Sequence, residues 1–133
     1  ALMRKFHEAK EGNNKEVLIW GSGLPKREFL HVNDLADASI FLMNNLDAPD
    51  LFREGISHIN VGSGEEISIH DLALLLKKVG VFEGQLVFDT KKPDGAPRKL
   101  LNSSRIHALG WKEKIRLNKG IKETYDWYKV NIK

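Results

Sequence analysis

The apolar run Val17-Leu-Ile-Trp20, closed at once by Gly21-Ser-Gly-Leu-Pro25, constrains this chain more than any other stretch. A short unbroken run with β-branched and aromatic members marks a buried strand. Two glycines that tolerate positive φ and a proline that pre-sets its own φ let the chain reverse there at little cost. Arg27 to Val32 then reads as a second strand. Alternation puts Arg27, Phe29 and His31 on one face and Glu28, Leu30 and Val32 on the other. The simplest expectation is a hairpin whose mouth carries an indole, glycine amides and a guanidinium. That set suits a planar base or sugar ring joined to a phosphate. The competing reading is a hairpin that binds nothing.

Helical signals surround this stretch. Leu2 to Lys10 carries Leu2, Phe6 and Ala9 at near-helical spacing, and Gly12-Asn-Asn14 stops it. Asn33 is expected to cap a helix with Asp34 and Asp37 near its positive end and Leu35, Ala38, Leu42 and Met43 as its buried stripe. Leu46 to Gly55 reads as a solvated loop and Ile56 to Val61 as a strand. Ser68 and Asp71 form a capping box for a helix with Leu72, Leu75, Leu76 and Val79 on its core face. Leu86-Val-Phe88 is a short strand before the loop from Asp89 to Pro97, and Asn102 to Leu109 holds one helical turn. Asn118 caps a last helix with Ile121, Tyr125, Tyr128 and Ile132 on one side. Few short strands separated by helices specify a small α/β layer structure.

With 133 residues the chain can build one modest domain. A formal charge of +3, spread along the sequence, suits a phosphate-bearing small ligand, and no dense cationic cluster with interleaved aromatics argues for nucleic acid. The absence of cysteine excludes disulfides, thiolate metal sites and a thiol nucleophile. No apolar run approaches a membrane span. A first residue other than Met suggests a piece of a longer protein.

Several motifs invite chemistry they do not support. Gly21/Gly23 and Gly62/Gly64 are Gly-x-Gly pairs after strand-like runs, but neither continues to a third glycine at the dinucleotide spacing. Tyr125-Asp-Trp-Tyr-Lys129 matches the Tyr-x-x-x-Lys of short-chain dehydrogenases, yet Tyr125 falls on an apolar stripe with no serine partner, as a core tyrosine would. The histidines show no paired metal spacing, and no Gly-x-Ser-x-Gly elbow exists. No catalytic residue is assigned. The loop Lys91-Lys-Pro-Asp-Gly-Ala-Pro-Arg-Lys99 has cations that could neutralise a diphosphate, or could simply be solvated.

The run Val17-Leu-Ile-Trp-Gly-Ser-Gly-Leu-Pro-Lys-Arg-Glu-Phe-Leu-His-Val-Asn-Asp-Leu-Ala36 resembles a segment of the GDP-L-fucose synthases, which are extended short-chain dehydrogenases. Ser57-His-Ile-Asn-Val-Gly-Ser-Gly64, Val87-Phe-Asp89, Lys92-Pro-Asp-Gly-Ala-Pro-Arg-Lys-Leu-Leu101 and Leu109-Gly-Trp111 continue the similarity in the same order. The resemblance implies that residues 1–133 are the C-terminal nucleotide-sugar-binding portion of such an enzyme. It also implies segments that normally complete the Rossmann domain, here without its N-terminal NADP-binding part. Such enzymes convert GDP-4-keto-6-deoxy-D-mannose to GDP-L-fucose by 3,5-epimerisation and NADPH-dependent 4-reduction. They imply a cytoplasmic homodimer that needs neither nucleic acid nor membrane. This chain alone would bind no NADP and be inactive.

Position by position, the resemblance makes Lys5 a phosphate or sugar contact, Trp20 a pocket wall and Arg27 a charged donor, with Asp94, Arg98 and Lys99 closing the other side. Lys5 departs from relatives that have arginine, so a point charge replaces a bidentate fork. The Asn33 helix and the Ile56 strand would pack on the missing domain and expose apolar surface in its absence. Other nucleotide-sugar epimerases or reductases, and a non-enzymatic basic module binding RNA or protein, are the alternatives.

Overall fold

A computed structural model describes residues 1–53 and 55–132. Its elements are α1 (Leu2–Glu11), β1 (Glu16–Trp20), β2 (Lys26–Glu28), α2 (Val32–Asn45), α3 (Ala48–Arg53), β3 (Glu66–Ser68), α4 (Ile69–Gly80), β4 (Gln85–Asp89), β5 (Arg98–Lys99), α5 (Ser104–Ala108) and α6 (Leu117–Asn131). The class is α/β, as the alternation of signals predicts. The chain divides into two compact units. One contains Ala1–Arg27, Ile67–Lys99 and the segment from Asn118 onward; the other contains Glu28–Glu66 and Leu100–Leu117.

In the first unit β1 lies parallel to β4, in register from Glu16 opposite Gln85 to Trp20 opposite Asp89. The expected hairpin does not form. β2 instead runs parallel to β5, with Lys26 opposite Arg98 and Arg27 opposite Lys99, and the second sheet has the order β3-β2-β5. Parallel partners require a crossover rather than a tight turn, and α4 lies in the connection from β1 to β4. Local turn signals at residues 21–25 are blind to such partners. β2 is also shorter than the expected strand, because His31 already caps α2.

Val17 and Ile19 point into the core of this unit while Leu18 and Trp20 are exposed, so β1 is covered on one face only. Phe6, Leu72, Leu76, Phe82, Ile121 and Tyr125 complete the core. Phe6 meets Phe82 edge to face at 5.8 Å. α4 starts at the expected Ser68 cap: the Asp71 amide donates to Ser68 Oγ at 2.9 Å, and that hydroxyl, rather than the Ser68 amide of a full capping box, donates to Asp71 Oδ2 at 2.7 Å.

The second unit centres on Ala38, Ile106 and Trp111, with Leu30, Phe41, Leu42, Ile59 and Val61 packed around them. Full burial of a side chain such as Ile106 is worth about 1.5–3 kcal/mol. α2 is capped by His31, whose Nδ1 accepts from the Asn33 amide at 3.3 Å, rather than by Asn33. Its buried side carries Asp34 and Ala38, while Leu35 and Met43, expected inside, are exposed. The stripe is rotated because Asp34 turns inward to accept the Lys114 and Ile115 amides at 3.2 and 2.9 Å. Glu28 does similar work, accepting from the Gly64 amide at 2.7 Å and the Leu101 amide at 3.0 Å. A side chain at Gly62 would collide with that carboxylate.

Two further expectations are corrected. Residues 48–53 of the expected 46–55 loop form the short helix α3, and Glu54 lies outside the described residues. Ile56 to Val61 makes no strand in this structure. The run has strand-like composition, but strand geometry counts only when a ladder partner exists.

Candidate functional site

All the candidate binding residues fall in the first unit. Trp20 ends β1 with 65% of its surface exposed, because period-two alternation turns it away from the Val17/Ile19 face. Lys5, on α1, reaches this indole: its Nζ lies 5.4 Å from the ring centroid and donates to the Leu18 carbonyl at 3.0 Å. Lys92 brings a second ammonium to within 5.5 Å of the same ring. An exposed aromatic face with two cations over it is a surface for anions joined to a planar group.

The 90–97 loop is tied to the β1–β2 turn. Asp94 accepts from the Ser22 amide at 2.8 Å through Oδ1 and from Ser22 Oγ at 2.6 Å through Oδ2. These bonds, the hydroxyl's first, hold the Asp94 carboxyl below the usual carboxylate range. Gly21, at φ +86°, has no room for a Cβ, which would strike Asp94 Oδ1. Arg27 Nη1 donates to the carbonyls of Lys26 at 2.6 Å and Ala96 at 2.8 Å, and the Lys26 amide donates to Pro97 at 2.8 Å. Arg98 and Lys99 form β5, exposed and opposite Lys26 and Arg27. The geometry thus gathers Lys5 with Trp20, Arg27 with the 95–96 segment, and Asp94 with Ser22.

The sequence similarity reaches across the chain. GDP-L-fucose synthase 1 of Arabidopsis thaliana is 52% identical over 132 residues, covering 99% of this chain and 39% of the relative. GDP-L-fucose synthase of Escherichia coli K12 is 48% identical over 135 residues, covering 98% of this chain and 41% of the relative. The chain is similar to the GDP-L-fucose synthases along almost its whole length. Residues 1–62 also match the model of the NAD dependent epimerase/dehydratase family. Among solved structures, the GDP-mannoheptose C4 reductase of Campylobacter jejuni, with NADP bound, is 48% identical with a TM-score of 0.81, over 96% of this chain and 43% of that one. The chain spans about two fifths of the length of the synthases it matches.

The structure adds two residues that sequence reasoning did not single out, Ser22 and Lys92. Ser22 looked like turn filler between two glycines, and Lys92 was one cation of several in a basic loop. The Gly-x-Gly turns do not fit a dinucleotide diphosphate, since Gly21 and Gly62 each face a carboxylate, Asp94 and Glu28 respectively. Such neighbours repel phosphate.

Tyr125 has the setting of a core residue. It is buried, its hydroxyl lies 3.3 Å from His7 Nδ1, and burial pushes its pKa up. Lys129 lies over the ring at 5.2 Å and pairs with Asp126 at 2.8 Å. A catalytic tyrosine of this kind needs the opposite shift. Among the described residues no His/Cys/Asp/Glu group could hold a metal, and no helix is long and apolar enough to cross a membrane.

Proposed function

We propose that this chain is the nucleotide-sugar-binding, C-terminal portion of a GDP-L-fucose synthase. The full-length enzyme converts GDP-4-keto-6-deoxy-D-mannose to GDP-L-fucose by 3,5-epimerisation and NADPH-dependent 4-reduction, as a cytoplasmic homodimer. One observation carries this reading: Trp20, Lys5, Lys92, Arg27 and the 94–99 segment come together in one unit although they are scattered along the sequence. Lys5, Trp20, Arg27, Asp94, Arg98 and Lys99 make up the substrate-binding set. Binding energy gathered on the GDP end holds the keto sugar in register for chemistry done elsewhere in the protein. NADPH supplies the hydride from an upstream Rossmann domain.

The outer face of α2 supports that upstream domain. Val32, Ile40 and Met43 are exposed by 69, 61 and 82%, an apolar stripe of the kind that large packed surfaces leave when uncovered. Ile56 to Val61 has strand composition and no ladder, as expected of a strand whose sheet is upstream.

Titration calorimetry on the full-length protein with GDP, UDP and a short RNA tests the proposal. GDP is expected to bind best, and Arg27→Ala to weaken it by about 1.5–3 kcal/mol, the scale of a hydrogen bond to a charged group. Equal binding of GDP and UDP would remove the synthase assignment. RNA binding with a steep salt slope would make the chain a basic module instead. A second reading, a GDP-sugar C4 reductase that leaves C3 and C5 unchanged, draws on the similarity to the Campylobacter C4 reductase, and product stereochemistry at C3 and C5 distinguishes it from the synthase.

A further inference from the structure

The 90–97 loop has little of its own to hold it in place. Every residue from Thr90 to Lys99 is exposed, so no apolar side chain anchors it. Its ends are pinned by backbone bonds, from the Lys92 amide to Asp89 O at 3.1 Å and from the Lys26 amide to Pro97 O at 2.8 Å. Arg27 adds a hold at Ala96. At the loop's middle stands the Ser22–Asp94 pair, two short hydrogen bonds that use both carboxylate oxygens. The hydroxyl of Ser22 is itself fixed by accepting from the Leu24 amide at 3.1 Å.

We propose that Ser22 is a positioning residue for nucleotide binding: through Asp94 it latches the 90–97 loop so that Lys92 stays over Trp20. This rests on the reading given under Proposed function and goes beyond it by giving Asp94, one of the substrate-binding set, a further part as the latch that places Lys92. Two physical effects follow from the geometry. Lys92 is two residues from Asp94, and two residues of chain span up to about 7 Å, so release of Asp94 frees the ammonium to leave the indole. The latch also keeps an anion turned toward Ser22. Set loose, the carboxylate would compete with phosphate for Lys92 and Lys5.

The test uses the full-length protein and GDP as the probe. Ser22→Ala is expected to raise the GDP dissociation constant about tenfold, the effect of one lost hydrogen bond to a charged group. Ser22→Thr, which keeps the hydroxyl, is expected to stay within about twofold of the parent protein. In an Asp94→Ala background, Ser22→Ala is expected to change nothing further, because the two residues act as one unit. An unchanged affinity in Ser22→Ala, equal damage by Ala and Thr, or additive effects with Asp94→Ala would each overturn the latch. Amide hydrogen exchange reads the same device without ligand: faster exchange across residues 91–97 in Ser22→Ala supports it, and unchanged exchange overturns it. Should the parent protein ignore GDP, the nucleotide reading falls, while the exchange measurement still judges the latch.

Discussion

At the scale of single residues, carboxylates do most of the work that hydrophobic patterning does not. Asp34 is 2% exposed and serves two backbone amides of the 114–115 segment. Asp37, one turn on, accepts from Trp111 Nε1 at 2.9 Å and from Lys114 Nζ at 3.0 Å. Both looked like charges placed for a helix dipole, since nothing local distinguishes that role from a long-range acceptor. Asp34→Ala would strand two part-buried amides, each costing about 1–3 kcal/mol where water cannot replace the carboxylate. We expect a loss of about 2–5 kcal/mol, against a smaller loss for Asp34→Asn, which keeps one acceptor oxygen. Urea denaturation with an unchanged m-value checks this. Trp20 is the converse case. Its place at the open end of a strand was legible, but the two lysines over its ring were not, because Lys5 and Lys92 lie far from it in sequence.

At the scale of elements, signals contained within a few residues were the readable ones. The Ser68–Asp71 cap and the Leu72/Leu76 face of α4 follow from spacing alone. Bonds from Ser68 and then His70 hold the Asp71 carboxyl below its ordinary value. A depressed folded pKa stabilises above the unfolded value and loses that contribution as pH falls through the folded one. Stability is therefore expected to decline as pH drops below the normal carboxylate range. Ser68→Ala should cost about 1 kcal/mol at neutral pH and flatten the acid slope, which thermal melts across that range will show. Strand pairing was the unreadable part. Val17 to Trp20 and Arg27 to Val32 look adjacent enough for a hairpin, yet β1 and the shorter β2 each take a partner about 70 residues downstream. The choice rests on the energy of a crossover helix packing over the sheet, which no window of ten residues contains.

For the whole molecule, the apolar outer stripe of α2 matters most. If an upstream domain covers it, Ile40→Asp with Met43→Asp should behave oppositely in two settings. The full-length protein should melt at a lower temperature, since charge is buried without a partner. The 133-residue chain alone should self-associate less, because the same change breaks an exposed patch. Calorimetry and light scattering read the two effects, and an unaltered melt in the full-length protein would count against the upstream cover.

The chain's residues determined by themselves the α/β class, the positions of most helices, and the presence of a basic 91–99 segment, a Trp and an Arg, residue types of the kind that meet phosphate-bearing groups. These follow from period, capping chemistry and charge, all of which are local. Tertiary structure alone decided which strands run side by side, which way Asp34 and Asp94 turn, and that Ser22 and Lys92 join the group around Trp20. Those outcomes depend on contacts between segments distant in sequence, where the balance of packing and desolvation is set by geometry that composition does not carry.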